Sequence, residues 1–281
     1  MKKLITRTIT GSIYVALIVF TLLNNTSTSF FIFFAALTAL GLFEFNHLVG
    51  DKSEKIKVTS TIDSIGGLIL FTSVYWTIND PDIGLIWLSP YLLYILARLI
   101  VELYLRDKNP LTSWAYSFMG QLYIALPLAL LNIIYESYGP RTVLALFIFI
   151  WLNDTGAFCV GTLIGKRRLF ERISPKKSWE GFWGGLILCV LSSIGFYLWG
   201  NEFFKGPGLF IWIGFAIVVS VFATWGDLCE SLIKRTLNIK DSGKILPGHG
   251  GILDRIDSLL LVSPAVLIYF ILVSCIMNMH P

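Results

Sequence analysis

Apolar stretches close to 20 residues long recur along the chain, at about 5–23, 28–49, 62–78, 83–105, 115–135, 141–165, 179–199, 207–225 and 256–278. A bilayer hydrocarbon core about 30 Å thick needs roughly 20 helical residues to cross it. The pattern therefore predicts an all-α, polytopic integral membrane protein with about nine transmembrane helices. Segment 62–78 is short, and 207–225 opens at Pro207, which a first helical turn tolerates.

The basic residues give an independent test of this count through the positive-inside rule. With the N-terminus in the cytosol, all of the 22 Lys and Arg residues except Arg141 and Lys205 fall in interior segments or at their edges, Arg98 among them. Moving the register by one span destroys the alternation. The same count places the C-terminus outside. The exterior connections Asn24–Ser27, Asn79–Ile83, Glu136–Pro140 and Gly200–Lys205 are short, whereas the interior stretches 166–178 and 226–255 are longer and polar. Chemistry is expected on the cytosolic face, toward the C-terminal half. One membrane domain covers 1–281, with 1–140 as packing helices and a candidate dimer surface, and 141–281 as the catalytic helices and loops.

Composition agrees. The 281 residues are 55% hydrophobic and 14% charged, against roughly 25% charged in a soluble domain. The net charge of +4 is spread over an apolar chain and carries no expectation of nucleic-acid binding. The four cysteines form no CxxC pair and imply neither a disulfide framework nor a zinc site. The start, Met1-Lys2-Lys3, is like that of a signal peptide, but no small-residue cleavage signal follows, so the first segment is read as a retained helix.

The densest polar run is Ser231–Asp257, continuing from Trp225. Its first part reads as a short helix with Asp227, Glu230, Ser231, Lys234 and Arg235 on one face. Pro247-Gly248-His249-Gly250-Gly251 could form tight turns whose backbone N–H groups make an anion-binding nest. This stretch is flanked by Lys240, Asp241 and Lys244 before it and by Asp254, Arg255 and Asp257 after it. Asp227 and Asp254 supply hard oxygen ligands of the kind Mg²⁺ takes alongside substrate phosphates, and Lys234, Arg235, Lys240 and Arg255 supply cations for phosphate oxygens. A mutually neutralising salt-bridge cluster, or a water-facing amphipathic helix, would account for the same residues.

Two further motifs stand beside this run. Asp154 lies in the sixth span about 11 residues before its cytosolic end, where a carboxylate costs at least ~2.5 kcal/mol unless it faces a polar cavity or a partner. It either lines the site or makes an interhelical hydrogen bond. Gly161 and Gly165 have the spacing of a close helix-packing face. In the next loop, Lys166 and Ser174-Pro175-Lys176-Lys177-Ser178-Trp179-Glu180 offer candidates for a lipid head group or triphosphate, with Ser178 as helix cap and Glu180 in the first turn.

From Ser231 to Asp257 the sequence resembles the phosphatidate cytidylyltransferases (CDP-diacylglycerol synthases), in the pattern Ser-x-apolar-Lys-Arg-x4-Lys-Asp, then His-Gly-Gly-apolar-x-Asp-Arg-apolar-Asp. Gly226-Asp227, Asp154-x-x-Ala157-Phe158 and Ser174–Lys177 are similar to the family as well, so the likeness covers roughly 150–260 in detail. The resemblance implies transfer of a cytidylyl group from CTP to phosphatidate, giving CDP-diacylglycerol and pyrophosphate in phospholipid biosynthesis. It implies Mg²⁺ on Asp227 and Asp254, a monovalent cation such as K⁺ nearby, a homodimer among membrane lipids, and residence in the bacterial inner membrane. Of the rivals, a transporter predicts charges along a path across the bilayer, whereas these charges gather near one face. A polyprenol kinase or an archaeal-type CDP-lipid synthase is a closer rival. The Asp-x2-Asp-Gly-x2-Ala-Arg pattern of CDP-alcohol phosphotransferases is absent.

Overall fold

The computed structural model describes residues 2–24, 26–50, 54–105, 109–200, 208–243 and 250–279. Among these, eight helical stretches are long and apolar enough to cross a membrane. The remaining expected span falls on α1 (Lys2–Leu23), whose described apolar part, Thr8–Leu23, is shorter. The protein is thus an all-α polytopic membrane protein, apart from one small hairpin among the described residues.

The chain forms two compact units, Met1–Glu136 with Ile239–Arg255, and Ser137–Asn238 with Ile256–Pro281. The first contains α2 (Ser27–Val49), α3 (Glu54–Asn79), a 3₁₀ turn (Gly84–Leu88) leading into α4 (Ser89–Leu105), and α5 (Pro110–Gly120). A π-turn, Gln121–Ala125, joins α5 to α6 (Leu126–Tyr138). Pro127, which has no N–H to donate to a regular helical ladder, follows that turn. Asn109 caps α5 by accepting the Thr112 N–H at 3.3 Å, with Pro110 in the first turn.

Apolar packing in this unit includes Phe30 stacked on Tyr135 at 4.0 Å between centroids. Its interior also holds a polar knot. Arg98 on α4 is fully buried, donating to Asp63 Oδ1 at 3.1 Å and to Glu102 Oε2 at 2.7 Å. Ser117 donates to Asp63 Oδ2 at 2.6 Å, Tyr94 to Asp63 Oδ1 at 2.9 Å, and Gln121 to the Asp63 carbonyl at 2.7 Å. Arg98 therefore departs from the expectation of a charge marking the cytosolic border. Two carboxylates, Glu102 one turn along α4 and Asp63 on α3, hold it inside the bundle, because buried charges persist only when paired.

The second unit contains α7 (Pro140–Ile164), the strands β1 (Arg168–Phe170) and β2 (Ser174–Ser178), α8 (Trp179–Trp199), α9 (Leu209–Thr236) and α10, most of Leu253–Met279. The antiparallel hairpin β1–β2 was not anticipated from the sequence. The short helix expected after Trp225 is instead the continuation of α9, which runs without a break to Thr236. The interior loop is correspondingly shorter than 226–255.

Helices α7 and α8 meet along glycines. A Cβ on Gly156 would come within 2.8 Å of the Gly184 carbonyl oxygen and 3.0 Å of Gly185 Cα, and one on Gly181 within 2.8 Å of the Ala157 carbonyl. Because the obstacles are backbone, the helices themselves would have to part. Gly156→Leu is expected to destabilise the protein by about 1–3 kcal/mol, as overpacking does, read as a lowered midpoint of thermal unfolding in detergent.

Candidate active site

The site in the second unit begins with the local structure of the α7–α8 connection. Ser178 accepts the Gly181 N–H at 3.1 Å, which caps α8 as its position predicts. Glu180, in the first turn of α8, accepts the backbone N–H groups of Lys166 (3.1 Å) and Arg167 (3.2 Å) and so pins the start of the hairpin. The hairpin's apolar side, Leu169 and Ile173, packs with Leu228 and Trp225 of α9. Arg235 donates from Nε to the Ile173 carbonyl at 3.3 Å. These contacts fix β2, and with it Lys176 and Lys177, against α9.

A cavity of about 270 Å³ opens beside β2 and is lined by Asp154, Lys176, Lys177 and Asp227, with Phe158 and Phe182 among its apolar walls. Asp154 is exposed there, ten positions before Ile164, or about 15 Å along the helix. Its neighbour makes interhelical hydrogen bonds. Asn153 donates to Thr224 Oγ1 at 3.3 Å and accepts from Ser220 Oγ at 2.7 Å, tying α7 to α9. The adjacent polar pair thus divides its work, one side chain holding the helices and the other facing the cavity.

Lys177 Nζ forms an ion pair with Asp227, and Ser231 Oγ lies 3.4 Å from Asp227 Oδ1. Lys234 pairs with Glu230 at 2.5 Å, one turn along the same helix. Oxygens of Asp227, Glu230 and Asp257 all lie within 4.8 Å of one another. Helical spacing brings Asp227 and Glu230 together. Asp257 joins them because Gly226 lets α10 approach closely: a Cβ there would be 2.8 Å from the Asp257 carbonyl oxygen and 2.9 Å from Ser258 Cα. Three carboxylates this close do not all stay ionised unless cations offset their repulsion. The donor set is all hard oxygen, the chemistry Mg²⁺ selects.

The family model described as the cytidylyltransferase family matches residues 5–273. The chain belongs to this family. A phosphatidate cytidylyltransferase of Staphylococcus epidermidis is 42% identical over 164 residues, which cover 56% of this chain and 61% of that protein. One of Staphylococcus saprophyticus is 35% identical over 214 residues, covering 74% and 80%. One of Staphylococcus aureus is 40% identical over 164 residues, covering 56% and 61%. The chain therefore spans 61% of the length of the first and third of these relatives.

Of the residues expected from the sequence, Asp154, Lys176, Lys177 and Asp227 share the cavity, with Glu230, Ser231, Lys234 and Asp257 around Asp227. Lys166, Ser174 and Glu180 are not among its lining residues. Lys240, Asp241, Gly250, Gly251, Asp254 and Arg255 belong to the other unit. There Asp254 Oδ2 accepts the N–H groups of Ser242 and Gly251, each at 2.9 Å. The Gly251 N–H is thus already engaged by a side chain, where the sequence offered it to an anion. Lys244, Gly248 and His249 lie outside the described residues. Thr224, Phe158 and Phe182 were not singled out as site residues. Phe158 entered only through the family likeness of Asp154-x-x-Ala157-Phe158, and nothing in the spacing of Thr224 or Phe182 distinguishes them from helix packing.

Proposed function

We propose that the protein transfers the cytidylyl group of CTP to phosphatidate, forming CDP-diacylglycerol and pyrophosphate, at the cytosolic face of the bacterial plasma (inner) membrane. The observation that supports it best is the pairing of the Asp227, Glu230 and Asp257 carboxylates with a cavity carrying Lys176 and Lys177. This arrangement suits a metal–polyphosphate substrate beside lipid. The relatives named as phosphatidate cytidylyltransferases supply the two substrates.

The phosphate monoester of phosphatidate has a second pKa of about 6, by analogy with phosphorylated side chains. It is largely dianionic near neutral pH and needs no general base. One of its oxygens attacks the α-phosphorus of CTP, and the bond from that phosphorus to the α,β-bridging oxygen breaks. The electron pair leaves with pyrophosphate. Catalysis then consists of positioning two polyanions and screening their repulsion. Lys176 and Lys177 donate to phosphate oxygens, and Lys177 exchanges its Asp227 partner for one of them. Lys234 and Arg235 add positive charge on α9.

Mg²⁺ is the proposed cofactor, with a monovalent cation such as K⁺ beside it. Asp227 would hold it in the second unit, with Glu230 and Asp257 adjacent; Asp254 is a proposed ligand on the family resemblance alone. When bound, the metal would neutralise charge developing on the phosphate oxygens. The homodimer is likewise proposed from the resemblance.

The test is pyrophosphate release in detergent micelles containing phosphatidate and Mg²⁺, with CTP, dCTP, ATP, GTP and UTP offered in parallel. CTP-dependent turnover that stops in excess EDTA is expected. Turnover persisting in EDTA would remove the metal from the mechanism, and pyrophosphate release with another nucleotide but not with CTP would overturn CTP as the donor. Lys177→Ala is expected to raise the KM for CTP or phosphatidate by roughly 10-fold or more, the worth of a charge-assisted hydrogen bond of about 1.5–3 kcal/mol. Unchanged KM and kcat would assign Lys177 to structure alone.

A further inference from the structure

We propose that Glu44, on α2 and far from the motif in sequence, is a positioning residue for Ser242 and for the described stretch Gly250–Asp254. The inference rests on the cytidylyltransferase reading above. Glu44 is 5% exposed, a carboxylate within a largely apolar helix. It does not stand alone there. Its Oε1 accepts the Ser242 hydroxyl at 2.5 Å and the Leu253 N–H at 3.1 Å, and its Oε2 accepts the Ile252 N–H at 2.9 Å. The two backbone donors are at the first turn of α10, where N–H groups have no partner within the helix and where a negative charge is favoured.

Ser242 carries the connection to Asp254. Its hydroxyl, which donates to Glu44, also accepts the Asp254 N–H at 3.3 Å, and its own N–H donates to Asp254 Oδ2 at 2.9 Å. Glu44 thus ties Ser242 to Ile252 and Leu253 through one carboxylate. The approach is so close that a Cβ at either Gly243 or Gly251 would collide with the Glu44 carboxylate. One glycine of the His-Gly-Gly motif is therefore required by a side chain from α2. The neighbouring Gly250, at φ +86°, is required by its own backbone.

A Gln in place of Glu44 keeps the volume but presents an amide NH₂ where a second acceptor is needed, so at least one loop donor loses its partner. Purified Glu44→Gln in detergent is expected to keep a thermal midpoint within a few degrees of the parent. Its kcat is expected to fall by 10-fold or more, with the KM for CTP and for phosphatidate within about twofold. Ser242→Ala should act in the same direction, and the double variant should be no worse than the more severe single one, since both act through one route.

A second readout needs no turnover. Trypsin cleavage after the exposed Lys240, measured without substrates, should be at least fivefold faster in Glu44→Gln. A parent-like kcat, multiplicative losses in the double variant, or cleavage at the parent rate would each overturn the proposal. If Glu44→Gln does not accumulate, Ser242→Ala decides by the same two measures. If the parent releases no pyrophosphate, the proposed function fails, while the cleavage rates still judge Glu44.

Discussion

Asp227→Asn is expected to lower kcat for CTP-dependent pyrophosphate release by roughly 10²–10³-fold, the usual effect of removing one electrostatic element aimed at the reacting group. The change is nearly isosteric, removing the charge and turning one acceptor oxygen into an amide NH₂. Asp227 is the carboxylate that both lines the cavity and lies within 4.8 Å of Glu230 and Asp257. Its pairing with Lys177 is partly exposed, 31% on the Asp227 side, so the stability at stake is at most about 1 kcal/mol. The fold should therefore survive while activity does not. Parallel measurement of the thermal midpoint and of the Mg²⁺ dependence separates the two effects. Activity within twofold of the parent would remove Asp227 from the centre of the site.

Arg98→Ala is expected to have the opposite profile, a large loss of stability arising far from the motif in sequence. The guanidinium is fully buried between Asp63 and Glu102, whose side chains are 2% and 1% exposed. Removing one partner of a buried ion pair costs about 3–5 kcal/mol, because the remaining charge is left without compensation. Here two carboxylates would be left, sharing only the hydroxyls of Ser113, Ser117 and Tyr94. Unfolding in detergent, followed by heat or denaturant, is the measurement. Neutralising the carboxylates as well, in Arg98→Met with Asp63→Asn and Glu102→Gln, should recover part of the loss. A triple variant less stable than Arg98→Ala would show that the knot contributes more than mutual compensation.

Both results concern charged residues, and the sequence served them unequally. Asp227 stood out because it is followed by Glu230, Ser231, Lys234 and Arg235 at helical spacing, a local pattern that survives whatever the helix packs against. Asp154 stood out because an isolated carboxylate at hydrocarbon depth is costly. The same reasoning applies to Glu44 and Asp63, which also lie in apolar stretches, and the sequence would have flagged them on that ground. It could not name their partners. Glu44 meets Ser242, Ile252 and Leu253 across about 200 positions of chain, and no local periodicity encodes a contact of that range. Arg98 was misread for a related reason. A basic residue near the end of an apolar stretch has the same one-dimensional signature whether it faces the cytosol or a buried acid.

Spans, helical class and the crowding of polar chemistry into the C-terminal half were determined by the sequence alone, since transfer of side chains between water and hydrocarbon depends on composition over about 20 residues. Family membership follows from the same one-dimensional record. Tertiary structure alone decided which carboxylates meet. It placed Asp257 beside Asp227 and Glu230 through the close approach that Gly226 allows, and it assigned Asn153 to helix packing while Asp154 faces the cavity. It also grouped Ile239–Arg255 with the N-terminal helices, because the donors of that loop find their acceptor on α2. Hydrogen bonds and ion pairs are satisfied in three dimensions, and the partner that satisfies them need not be near in the chain.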